Sequence, residues 1–192
     1  MLSIGLKKTQ AVWISPATDY SVFELDELYW YLNERKSHKN GINTYIMTMA
    51  SRIPRQIVGF NVDNSVNKNA IQNMVDSVNS AERYCTDGCL SYLDVIFGGK
   101  HIYNTEDKSD THIIESTNAD LRHHIRGLSR RSRCFFRSKA TLVAVLSLFI
   151  DAYNKFGEWK LKYRKPVIHK SPNPSKHLHK WRYPVVSVLD FL

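Results

Sequence analysis

Two carboxylates, Asp87 and Glu115, sit where side chains could do chemistry. The run Arg83-Tyr84-Cys85-Thr86 is strand-like and stops at Asp87-Gly88. A carboxylate at a strand end is held by the sheet yet still meets solvent, and Gly88 leaves the backbone free to turn. Twenty-eight positions after Asp87 comes Glu115, in a segment from Ile114 to Arg122 that reads as the first turns of a helix. At about 100° per residue, Ile114, Leu121, Ile125 and Leu128 form one apolar stripe. Glu115 and Arg122, seven apart, share a line along its flank, with Asn118 between that line and the stripe. Beyond them the charge is basic: Arg126, Arg130, Arg131, Arg133, Arg137 and Lys139, with His123 and His124. Carboxylates that hold a metal, beside guanidinium groups that bind a polyanion, are what chemistry on a phosphodiester needs.

These residues must be positioned by a scaffold, and the pattern predicts a mixed α/β one. Phe23 to Leu32 is a strand-like segment carrying Glu24, Asp26 and Glu27. In a strand, Asp26 faces opposite to Leu25 and Glu27. Taken alone, its acids read as the solvent face of an edge strand. Asn40-Gly41 is a hairpin turn signal, followed by a strand over Asn43–Ala50. A turn at Ile53-Pro54-Arg55 leads to a third strand over Gln56–Val62, so the first three strands form an antiparallel meander. Helical spacing of Ala70, Ile71, Met74, Val75 and Val78 predicts a helix over Asn67–Asn79. The strand ending at Asp87, a short helix over Cys89–Phe97 and a strand over His101–Tyr103 complete the sheet. Glu106–Asp110 is polar and loop-like, and a flexible loop holds a metal ligand poorly. Lys139–Phe156 is apolar nearly all round and reads as a buried helix that Gly157 ends.

The order and spacing of these motifs carry a resemblance. Thr86-Asp87-Gly88, then Ile114-Glu115, Asn118, Leu121-Arg122, Leu128 and Arg130-Arg131-Ser132 resemble the DDE-type transposases of compact bacterial insertion sequences. Those enzymes belong to the RNase H-like, retroviral-integrase superfamily. The resemblance spans Phe23 to Lys155. It implies an RNase H-like fold, a mixed five-stranded sheet of three antiparallel strands then two parallel ones, flanked by helices. It also implies a catalytic carboxylate on the first strand, for which Asp26 is the counterpart. Asp26, Asp87 and Glu115 would then be the catalytic and metal-binding set for two Mg²⁺ ions, with Mn²⁺ as substitute. Asn118, Arg122, Arg126, Arg130 and Arg131 would face DNA. The implied activity is cleavage and strand transfer of the element's DNA ends. The alternative is a non-catalytic basic nucleic-acid-binding domain on the same fold.

Composition agrees with a polyanionic partner. The chain has 192 residues, is 43% hydrophobic and carries a formal charge of +9. That is enough for one sizeable core and favours nucleic acid over a membrane surface; double-stranded DNA is the partner the resemblance implies. Cys85, Cys89 and Cys134 have no zinc spacing and suit a reduced cytosolic chain; the resemblance implies the bacterial cytoplasm, at the nucleoid. His177 and His179 lack the cysteines a zinc site would want. The chain divides into a lead-in (1–22), a catalytic domain (23–156) and a basic, proline-containing arm (157–192). The lead-in is too short for the recognition module that transposases usually carry. The chain is therefore expected to be a catalytic half or a truncated form, served by a separate or fused N-terminal module and acting as a homo-oligomer on DNA.

Overall fold

The computed structural model describes residues 21–33, 41–104, 110–129 and 134–163, with side chains through Lys155. In chain order these form β1 (Val22–Leu32), β2 (Ile42–Ser51), β3 (Gln56–Asp63), α1 (Lys68–Asp76), β4 (Arg83–Thr86), β5 (Lys100–Tyr103), α2 (His112–His124) and α3 (Lys139–Tyr163). Short 3-10 turns lie at Leu90–Tyr92 and Arg126–Leu128. The lead-in through residue 20, Asn40 of the hairpin signal, residues 105–109, Arg130, Arg131, Arg133 and the arm beyond residue 163 lie outside the described residues.

The sheet order is β3-β2-β1-β4-β5. β1–β2 and β2–β3 pair antiparallel, while β1–β4 and β4–β5 pair parallel. This is the mixed five-stranded arrangement expected of an RNase H-like fold. β1 is the central strand, not an edge, and is covered on both faces. That is why its burial is almost continuous rather than alternating.

Alternation along β1 sorts its side chains between two cores. Phe23 and Leu25 join Met47, Met49, Ile71, Met74 and Tyr84 on the α1 face. Leu28, Trp30 and Leu32 join Ile46, Leu121, Leu142, Leu146 and Ile150 on the face covered by α2 and α3. By the same parity Glu24 and Asp26 belong to the α2 face and Glu27 to the α1 face. α1 begins where Asn67 caps it, its side chain accepting the Ala70 N–H at 2.9 Å.

Two elements differ from expectation. The segment 89–97 is not a helix but one 3-10 turn, anchored by buried Tyr92 and Val95 while Leu90, Leu93 and Ile96 stay exposed. Two buried residues are too few to seat a longer helix, and the chain runs on through Gly98 and Gly99 into β5. A Cβ on Gly99 would lie 2.2 Å from the Ala81 carbonyl oxygen, so only glycine allows that approach. The second difference is α3, which continues through Gly157 to Tyr163. One interior glycine costs a helix about 1 kcal/mol, which good helix formers on both sides tolerate.

Candidate metal centre

β4 is short, and its final pairing with β1 is Leu25 opposite Thr86. From Asp26 onward that side of β1 has no neighbouring strand among the described residues, and Asp87 leaves β4 at the same level. Asp26 and Asp87 therefore meet at the strand end. Glu27, which strand parity assigns to the opposite face, also brings its carboxylate to this strand end. One carboxylate oxygen from each of Asp26, Glu27 and Asp87 lies within 4.8 Å of the others. Among the described residues no other cluster of three or more His, Cys, Asp or Glu side chains meets this spacing.

Each of the two aspartates is held. Asp26 accepts the Asn118 side-chain N–H at 2.9 Å and the Glu27 backbone N–H at 2.8 Å. The Asn118 carbonyl accepts the Thr48 hydroxyl at 2.8 Å, and Thr48 is the β2 residue opposite Asp26. Asp87 accepts the Cys89 backbone N–H at 3.1 Å. That bond, an Asx-turn, closes the bend after β4, and no described glycine adopts a positive φ.

The electrostatics are those of crowded acids. Burial pushes the Asp26 carboxyl up; the hydrogen bonds from Asn118 and Glu27 pull it down, and Asp87 and Glu115 raise it again. Glu27 is pushed up to about 7, chiefly by burial, with Asp87 and Asp26 adding repulsion. The Tyr92 hydroxyl, wholly buried, faces Glu27 without completing a hydrogen bond of ordinary geometry. Glu115, in the first turn of α2, is near enough to act on Asp26 but stands outside the 4.8 Å group.

α2 is seated against β1 by a residue of β1 itself. Glu24 is fully buried, and its Oε2 accepts the N–H groups of Ile113 and Ile114 at 2.8 and 2.9 Å. Its other oxygen pairs with Arg52 just past the end of β2, and Arg52 donates onward to the Asp110 carbonyl at 2.9 Å. Glu24 and Asn118 thus pin α2 to β1 on either side of Glu115. The spacing of two between Glu24 and Asp26 was the available signal for a shared face, but it does not say that a helix end lies opposite.

The expected DNA-facing residues are placed unevenly. Asn118 is not presented to solvent: it is 4% exposed and both ends of its amide are engaged inside the protein, so it positions Asp26 instead. Arg122 is half-buried on α2 and Arg126 is exposed in the following 3-10 turn. Arg130 and Arg131 fall outside the described residues.

The donor set suits a hard divalent cation. Mg²⁺ and Mn²⁺ prefer carboxylate oxygen and keep several waters, so a few acids suffice. A cation would also relieve the repulsion that raises Asp26 and Glu27. No protein-family model matches the chain, and neither does any curated protein.

Proposed function

We propose that this chain is a DNA transposase of a compact bacterial insertion sequence, cutting phosphodiester bonds at the element's ends and joining them to target DNA. The observation that carries the reading is the meeting of Asp26 and Asp87 at the end of adjacent parallel strands, with Glu115 in electrostatic reach. Two bound Mg²⁺ ions, or Mn²⁺ in their place, supply activation of the attacking oxygen and stabilisation of the leaving one. Asp26 interacts with both Asp87 and Glu115 and is the group able to serve both ions. Asn118 fixes its carboxylate, and Glu24 fixes the helix that carries Glu115. Arg122, Arg126, Arg130 and Arg131 hold backbone phosphates along the flank of α2 and beyond it. The working site is the bacterial cytoplasm at the nucleoid. There the chain acts with a second copy on DNA. Among the described residues no helix is long and apolar enough to cross a membrane.

Asp26→Ala, Asp87→Ala and Glu115→Ala are each expected to abolish strand cleavage while leaving DNA affinity within a few-fold of wild type, read by gel shift on a labelled duplex. Cleavage at the wild-type rate in any of the three rejects the assignment. Salt-sensitive DNA binding with no divalent-dependent cleavage supports instead a nucleic-acid-binding module on the same fold.

A further inference from the structure

Glu27 has no place in the three-carboxylate set that the resemblance implies, yet it joins Asp26 and Asp87 within 4.8 Å, where Glu115 does not. By strand parity it belongs to the α1 face, and it lies past the last described pairing of β1 with β4. Behind it stands Tyr92, fully buried, its hydroxyl directed at Glu27 and without an ordinary hydrogen-bond partner. One oxygen of Glu27 is likewise buried and without a partner. A buried hydroxyl aimed at a carboxylate is the outer support that a metal-ligating acid commonly has, and it fixes the orientation of the ligating oxygen.

We propose that Glu27 is a direct metal ligand, and that the two cation sites are unequal. The first is built by Asp26, Glu27 and Asp87 from both faces of the sheet, with Tyr92 supporting Glu27. The second is built by Asp26 and Glu115 and is completed by an oxygen of the DNA phosphate. The first site has three protein carboxylates and fills in the free protein. The second has two and fills with DNA. This division rests on the reading under Proposed function and assigns a ligand which that reading does not contain.

The test is Mn²⁺ binding to the full chain without DNA, measured by calorimetry and by loss of the free-Mn²⁺ paramagnetic signal. Wild type binds one ion; Glu27→Gln weakens that binding at least about tenfold, the scale set by loss of even an outer supporting group. Tyr92→Phe weakens it less, and Glu115→Gln leaves it unchanged although its cleavage is lost. Should Glu27→Gln fail to fold by circular dichroism, Glu27→Asp takes its place, and weakened binding in a folded protein supports the assignment. Wild-type Mn²⁺ affinity in folded Glu27→Gln or Glu27→Asp, with affinity lost in Asp87→Asn, overturns the role of Glu27 and leaves the proposed function standing. Absence of Mn²⁺ binding by wild type overturns both.

Discussion

At the scale of single residues, the acids of β1 do three different jobs within four positions. Glu24 is fully buried and caps a helix, Asp26 is fixed by Asn118, and Glu27 faces Tyr92. Glu27 carries a pH consequence that stability measurements can read. Its folded-state pKa, about 7, lies above its unfolded value of 4.5, so the folded protein holds the proton more tightly. Stability of the metal-free protein is therefore greatest below the unfolded value and is lost as pH rises through the folded one. The loss is at most about 3.5 kcal/mol, since the shift from 4.5 to about 7 spans about 2.5 tenfold steps in proton affinity, each worth about 1.4 kcal/mol. Asp26, also raised, adds in the same direction. With chelator present, Glu27→Gln is expected to be more stable than wild type at pH 8 in urea denaturation, by up to that amount, and equal to it near pH 4. A Glu27→Gln protein less stable than wild type at pH 8 contradicts the crowded-acid description. Asp87 was legible in the sequence because an acid just after a β-rich apolar run is conspicuous, whereas Asp26, one of three acids in its run, was singled out only by the resemblance. Glu27 was not, because strand alternation points it away from Asp26. The pairing of β1 with β4 ends at Leu25 and Thr86, so both Asp26 and Glu27 lie past the end of β4.

At the scale of elements, the positions of β1 and α2 relative to each other decide whether Glu115 can work with Asp26. Glu24 contributes two N-terminal hydrogen bonds to α2 and an ion pair to Arg52, whose side chain is itself 27% exposed. Replacing it by alanine strips the helix end of its acceptor and leaves a partly buried guanidinium without its main partner. The expected cost is about 3 kcal/mol in urea denaturation. Cleavage falls further than DNA affinity, because α2 loses its seat while the basic groups remain. A cost under about 0.5 kcal/mol, the range of ordinary surface changes, contradicts the seating role. α3 is docked similarly: the Asn154 amide bonds both the N–H and the carbonyl of Ile57 at 2.9 and 2.8 Å, covering part of edge strand β3. The strands were legible almost residue by residue, β4 at Arg83–Thr86 included, since β-branched and aromatic runs ended by turn residues are a local signal. The stretch after Asp87 was not. Leu90, Leu93 and Ile96 mimic helical spacing, yet all three are exposed, and the close approach at Gly99 sets the path. Gly157 misled for the opposite reason, since propensity alone did not stop α3.

At the scale of the whole molecule, an acidic centre lies in a chain with a formal charge of +9. The acids gather at one strand end, while Arg122 and Arg126 lie on α2 and just after it. DNA affinity is expected to fall steeply with salt, log affinity dropping by about 0.9 per phosphate neutralised for each tenfold rise in salt. Arg126→Ala lowers that slope by about one without altering sequence preference, as a phosphate contact should. An unchanged slope removes Arg126 from the interface. Thermal unfolding against Mn²⁺ concentration, for wild type and Asp87→Ala side by side, decides whether the acids at the end of β1 and β4 form a divalent-cation centre. The unfolding midpoint of wild type rises with Mn²⁺, because a ligand bound only by the folded state stabilises it, and the midpoint of Asp87→Ala stays flat. Equal responses in the two proteins, or none in wild type, contradict the account.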